Sequence, residues 1–461
     1  MRVLIAITKQ TFRACVRSRV VLSLIALNAL AVVALPLTTK GDGTAVGQLQ
    51  VSLSYSLRAV TSLVALAAIW VGSSGLSREI EAYNMHLVLT KPAPRWLVWV
   101  GKWLGVFLMS AGVFILSAVL IYALTLYRFK RGDFTEEEIA KVKNEVLVGR
   151  RVYQPLKVDF DALARREYEE RLASGEFDPD HNPPAVIAEI KRQRQAASTG
   201  VGPRKLKTWR FSGVRPPPKN RPLFLRYRFY VDSKSIDKQR ESVGRWVFKN
   251  PTAQNDRERV VATPLVKVMS GGFQEISFPA DFISAEGVID LGYENLDFQG
   301  ATVVFQPADG PRLLIRAVTF TENWIRGIIV GLFRLALMGA LGCAFGALFS
   351  TPVAIFVALA YLALGAILDP ELGMPTRDMH GQIVAWRLKD IFSFSVAQTV
   401  RLAIVSFRSF DVTHALARGY LISGKFMGHL LLFDVLLKGG PMIALGIWGF
   451  TRRELGRVIR R

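Results

Sequence analysis

The chain has 461 residues, 51% of them hydrophobic, and a formal net charge of +22. On a soluble domain that charge would point to nucleic acid, but the apolar residues are gathered in blocks, which points to a lipid bilayer and away from a nucleic-acid partner. Two cysteines, Cys15 and Cys343, and five scattered histidines leave no disulfide framework and no ligand spacing for a metal ion.

Six blocks are long and apolar enough to cross a hydrocarbon core of about 30 Å, which takes roughly 20 helical residues. They cover 20–39, 57–76, 104–127, 325–349, 353–368 and 430–450. The first follows a basic arm, but its apolar run is too long for a secretory leader and no small-residue cleavage site follows. It reads as a retained anchor. The fifth is the shortest and has the character of a tilted or re-entrant piece.

Lysine and arginine favour short cytoplasmic loops. Here they gather in the N-terminal arm (Arg2, Lys9, Arg13, Arg17, Arg19), in the second-to-third loop (Arg78, Lys91, Arg95, Lys102) and in the tail TRRELGRVIRR. Six spans put all three segments on one side. The expectation is a multi-pass protein of the plasma (inner) membrane with both termini cytoplasmic. The segment IFSFSVAQTVRLAIV, 391–405, would reverse the tail if it spanned. Its length, Gln398 and Arg401 fit an interfacial or re-entrant helix better.

The spans divide the chain into a membrane half at 1–127, an extracytoplasmic domain at 128–322 and a second membrane half at 323–461. The inserted domain reads as α+β. In 128–200 three helices are expected: FTEEEIAKVKNEVLVG has an acidic first turn, DFDALARREYEERLASG ends on glycine, and HNPPAVIAEIKRQRQ opens on prolines. From 206 to 322 the apolar period becomes two, as in LFLRYRFYVDS, GRWVFKNP, QEISFPADFI and GVIDLGYENLD. Several short strands split by turn residues predict an antiparallel β-sandwich.

GYLISGKF, from Gly419, matches the spacing of a phosphate-binding loop, and LLLFD follows, ending at Asp434. The loop chemistry needs Ser or Thr after the lysine to hold Mg²⁺, and this chain has Phe426. The chain is therefore not expected to bind ATP. Nor do its spans carry an Asp, Glu or His cluster with catalytic character.

The segment SREIEAYNMHLVLTKPAPRWLVWVGKWLG, 77–105, interrupts the most apolar region with charges and a Pro-x-Pro. Read as a short helix along the membrane, broken at Pro92 and Pro94, it offers a docking surface for a soluble partner. Its acidic pair (Glu79, Glu81), the run LVLTKP at 87–92, Arg95, Trp96, Gly101 and Lys102 make the chain resemble the ABC-2 type permeases, the membrane subunits of ATP-binding-cassette transporters. FTRRELG in the tail and LARGYLISG before the last span add to the likeness. Where that family often carries Gly-Thr, this chain has Tyr83, Asn84 and Met85, and its domain between spans three and four is far larger.

The resemblance implies a coupling loop, 77–103, seated on a separate cytoplasmic ATPase subunit, with Arg78, Glu79, Glu81, Lys91, Pro92 and Arg95 as contact residues. It implies that ATP and Mg²⁺ sit on that partner, that this chain is no enzyme, and that permease subunits pair as a homodimer or heterodimer. A partner protein for the external domain is a further expectation. The reading from a different class is a membrane-anchored scaffold or binding protein that presents the β domain. Within the spans, Gly339, Gly342 and Gly346 form a small-residue face for helix packing, within one subunit or at a dimer seam. Arg334 and Asp434 are candidates for an intramembrane ion pair, with snorkelling as the competing account.

Overall fold

The computed structural model describes residues 1–39, 43–82, 93–132, 134–156, 158–176, 182–217, 221–231, 240–249, 260–297, 300–306, 309–367, 395, 399 and 404–453. In chain order the helices begin with α1 (Arg2–Arg17), α2 (Arg19–Thr38), α3 (Ala45–Glu81), α4 (Arg95–Arg131) and α5 (Glu136–Glu145). Then come α6 (Phe160–Ala173), α7 (Pro183–Ala197), α8 (Phe320–Leu348), α9 (Thr351–Ile367), α10 (Thr413–Ala417) and α11 (Gly424–Arg452). Two compact units result, Met1–Gly149 with Val318–Arg461, and Arg150–Ala317.

The boundaries expected at 128 and 322 therefore move inward on the inserted domain. Two causes are visible in the chain. Helix α4 runs past residue 127 to Arg131, and α5, expected in the inserted domain, belongs to the first unit. Thr319 caps α8, its hydroxyl accepting from the Glu322 N–H at 3.2 Å, so residues 320–322 already belong to that helix.

In the first unit, α2, α3, α4, α8 and α11 are long and apolar enough to cross a membrane. The fifth expected block, 353–368, is α9, a shorter apolar helix. Small residues set how closely these helices pack. A Cβ on Gly342 would lie 2.8 Å from the Ile69 carbonyl oxygen, and one on Gly346 would lie 2.6 Å from that of Ser73. Both glycines thus bring α8 against the backbone of α3. Gly339 instead faces the side chains of Val106 and Trp103 on α4, with 3.5 Å to the nearest atom. The expected small-residue face is a packing surface inside one chain.

Polar side chains add specific ties. Asn28 on α2 donates to Ser117 Oγ on α4 at 2.6 Å, in a buried setting. Arg128 near the end of α4 donates to the Pro36 carbonyl and to Ser52 Oγ at 3.2 Å. In a low-dielectric surround such bonds fix which helix faces meet. The basic arm is the helix α1, whose Ile7, Thr11 and Cys15 recur every fourth residue on one buried face. Ile7 and Thr11 fill the space left by Gly101 and Gly105 of α4.

The second unit holds α6, α7 and most of the strands. These are β1 (Val148–Tyr153), β2 (Gly200–Val201), β3 (Leu206–Phe211), β4 (Leu223–Tyr227), β5 (Tyr230–Val231) and β6 (Glu241–Lys249). They continue with β7 (Val260–Ala262), β8 (Val266–Met269), β9 (Gln274–Phe278), β10 (Ile289–Asn295), β11 (Val303–Val304) and β12 (Arg312–Thr319). Three sheets form, in the orders β1-β12-β4-β9, β3-β10-β6-β7 with β8 also on β6, and β2-β11-β5. The pairings from β3–β10 to β6–β8 are antiparallel, with Tyr293 opposite both Lys207 and Trp246.

One apolar core draws on all three sheets through Leu225, Trp246 and Val303. At its centre the Trp246 ring meets Tyr227 at 4.8 Å and Tyr293 at 5.2 Å, both edge-on, the geometry that aromatic quadrupoles favour. The fully buried Asn295 donates to the carbonyls of Val201 at 2.9 Å and Ala301 at 2.8 Å, so one amide holds two neighbouring segments in place.

The region 128–200 is not purely helical, because β1 lies within it. The strand reads VGRRVY, and its two arginines hide the alternation. Arg150 is fully buried, paired with Glu275 on β9 at 2.5 Å and lying over the Phe224 ring.

Candidate functional site

The loop 83–92 carries Lys91, Pro92 and the LVLTKP run, all outside the described residues. The two helix ends that lead into it are described, and their charged side chains are the informative part. Glu79, in the last turn of α3, pairs with Lys102 on α4. Lys102 is only 4% exposed. A lysine so buried needs an anion beside it, or its charge is left uncompensated.

Glu81 reaches a different helix. Its Oε1 accepts from the backbone N–H of Thr351 at 3.0 Å, which makes it an N-cap for α9. The Thr351 hydroxyl also meets Ser77 Oγ of α3 at 2.8 Å. On the other side of the loop, Arg95 donates to the carbonyl oxygens of Thr451 at 2.8 Å and Arg453 at 3.2 Å. It thereby satisfies the open end of α11. Arg453 in turn donates to the Ala347 carbonyl at 2.8 Å, near the end of α8.

The residues flanking the loop thus tie the ends of α3, α4, α8, α9 and α11 to one another. Side chains two to ten residues from the loop 83–92 bind α4, α9 and α11, and Arg453 carries the connection on to α8. Of the expected docking residues, Glu79, Glu81 and Arg95 make intramolecular bonds, and the exposed Arg78 carries no such tie to another helix among the described residues. Sequence reasoning placed all four at a partner surface because exposure and internal capping look alike in a charged loop. Lys102 was read as a cytoplasmic loop cation and as part of a motif, not as a buried partner of Glu79. A buried position on the glycine-lined face of α4, between Val98 and Val106, was the available signal.

Next to the pair lies a cavity of about 200 Å³ lined by Glu79, Lys102, Cys15 and Cys343. The fold brings together the two cysteines that sequence position keeps far apart, both as free thiols. Burial pushes the Cys15 thiol up to about 11, which leaves it a poor nucleophile at neutral pH.

The expected Arg334–Asp434 pair does not form. Asp434 pairs with Lys438 one turn along α11, at 3.3 Å. Residues 430–438 of α11 are wound as a π-helix. Arg334 instead lines two cavities with Asp411. The phosphate-loop lookalike has a structural role. Asn323 of α8 donates to the Tyr420 carbonyl at 2.8 Å and accepts from the Ile422 N–H at 2.9 Å. Ser423 caps α11 through the Phe426 N–H at 3.1 Å, so the N–H groups of Ile422 and Phe426 are already engaged. Gly419 has φ +63° and packs on the Glu145 and Val148 carbonyls, where a Cβ has no room.

No family model, curated protein or solved structure matches the chain.

In the second unit a recess of about 410 Å³ is lined by Lys207, Trp209, Phe305, Gln154 and Gln306. The Lys207 ammonium sits 5.0 Å from the Trp209 ring centre. Burial pulls this lysine down to about 8 from an ordinary 10.5. Between those values the unfolded chain holds a proton that the folded one has released, so the contribution of Lys207 to stability rises with pH across that window. Limited acylation of the intact protein should modify Lys207 with a midpoint near pH 8, below the exposed lysines. Modification of Lys207 only alongside surface lysines such as Lys267 would show that its amine is fully solvated.

Proposed function

We propose that the chain is the membrane subunit of an ABC-2 type transporter, driven by a separate cytoplasmic ATPase that holds the ATP and Mg²⁺. The observation that carries this reading is the set of ties around the loop 83–92, where Glu79, Glu81 and Arg95 each bind a different helix. A loop built only to anchor a domain has no use for a latch onto five helix ends. A loop that turns partner movement into rocking of the spans needs one.

On this reading α9 is the fifth of six spans, which returns the basic N-terminal arm, the loop and the tail to the cytoplasmic side. Residues 150–317 then lie outside, and two of their sheets face each other as an antiparallel sandwich around the Trp246 core. Permease subunits pair as a homodimer or heterodimer. ATP-driven closure moves the spans, and the external unit receives or gates what is moved.

The test is affinity purification of the full chain from its native membrane in mild detergent, as wild type and as Arg78→Glu. Arg78 is exposed beside the loop, so this variant reports on docking and spares the internal Glu79–Lys102 pair. An ATPase should co-elute with the wild type and fall several-fold in the variant. If no ATPase accompanies the wild type, the chain is better read as a membrane-anchored holder of the 150–317 unit.

A further inference from the structure

The first unit contains a cavity of about 540 Å³ whose wall is unlike a protein core. Its lining includes three arginines, Arg58 on α3, Arg334 on α8 and Arg408 in the turn Phe407–Phe410, against a single acid, Asp411. That acid is partly spent. Its Oδ1 accepts from the Thr413 N–H at 3.1 Å and from the Thr413 hydroxyl, capping α10. Among the described residues neither Arg58 nor Arg334 is in an ion pair, and the buried Nε of Arg334 has no hydrogen-bond partner.

Arg334 lies about 21 Å along α8 from the end at Leu348, at 1.5 Å per residue. That depth is past the middle of a core about 30 Å thick. An arginine there is costly unless something anionic or wet meets it. Snorkelling alone would leave the buried Nε of Arg334 without an acceptor. The cavity also has an apolar side, with Leu66, Met338 and Leu362 in its wall. Leu66 is 43% exposed, so the apolar side of the recess reaches the surface of the unit. A ligand that suits it is anionic at one end and apolar along its length.

We propose that this cavity binds an anionic phospholipid. The phosphate is held by Arg58, Arg334 and Arg408, and the acyl chains run past Leu66, Met338 and Leu362. Guanidinium groups meet phosphate oxygens through paired, charge-assisted hydrogen bonds, and three of them recognise a headgroup of net negative charge over a zwitterionic one. The inference rests on the helices crossing a bilayer, as in the proposed function, but needs neither the ATPase nor transport.

The full chain in a neutral detergent is titrated with phosphatidylglycerol, phosphatidylcholine and glycerol phosphate, and bound species are counted by native mass spectrometry. Phosphatidylglycerol should be retained about tenfold over phosphatidylcholine. The preference should shrink in Arg58→Gln and vanish in Arg58→Gln/Arg334→Gln. It should persist in Arg2→Gln/Arg13→Gln, which removes the same charge from exposed positions on α1. Arg58 is exposed at the rim, so its single variant stays informative if the double variant fails to elute as a folded species. Equal retention of the two lipids, or a preference lost in the α1 variant and kept in Arg58→Gln, overturns the proposal. So does glycerol phosphate displacing the lipid at equal concentration, which would make the site one for a soluble phosphate. Lipid preference without any co-eluting ATPase would leave this site standing and remove only the permease reading.

Discussion

Glu79→Gln should lower the unfolding free energy of the solubilised protein by roughly 2–3 kcal/mol, somewhat below the range for breaking a fully buried pair because water reaches one partner. The two partners are unequal. The Lys102 side chain is 6% exposed and that of Glu79 is 30% exposed. Removing the glutamate strands a buried ammonium, whereas Lys102→Met strands a carboxylate that water already reaches. The single variants should therefore differ, with Glu79→Gln the worse. Glu79→Leu with Lys102→Met, which leaves no charge behind, should cost less than Glu79→Gln alone. Equilibrium unfolding in mixed micelles checks the order. Equal single effects, or a double variant worse than either single, would show that the pair is not the buried tie described for α3 and α4.

The second large effect concerns α8. Gly342→Ala and Gly346→Ala should each destabilise by about 1–3 kcal/mol, the usual cost of forcing an extra methyl into a packed interface. The obstacles are backbone atoms of α3, at 2.8 Å from Ile69 O and 2.6 Å from Ser73 O. Backbone in the middle of a long helix cannot move aside as a flexible side chain can. Gly339→Ala meets nothing closer than 3.5 Å and should be near neutral, because alanine is the better helix former. Gly112 on α4 has nothing within 4 Å and serves as a second neutral control. The same unfolding measurement separates the three glycines, and uniform tolerance of all four substitutions would contradict a close α3–α8 contact.

Long apolar helices and period-two strands were legible in the sequence, because both patterns follow from which face must avoid water. Trp246 and Phe248 alternate with half-buried neighbours along β6 as that pattern requires. Three features were not legible, each for a physical reason. Strand β1 was hidden by Arg150, whose burial is compensated by Glu275 from a strand more than a hundred positions away. Glu79, Glu81 and Arg95 looked like free surface charge because their partners Lys102, Thr351 and Thr451 lie on other helices. The proposed Arg334–Asp434 pair matched two charges by depth alone, while the i,i+4 neighbour Lys438 was closer to hand. Local periodicity shows on the chain, and long-range pairing does not.

On the proposed reading, a partner bears on the loop end of the first unit. The most direct measurement is photo-crosslinking in native membranes from a reactive residue placed at position 78 or 82, beside the loop, and at position 55. Tyr55 is 56% exposed on the same helix, about 35 Å from Arg78 at 1.5 Å per residue. Capture of one ATPase chain from positions 78 and 82, and none from 55, is the predicted result. Capture from position 55 alone, or from none of the three while the protein is intact in the membrane, would contradict it.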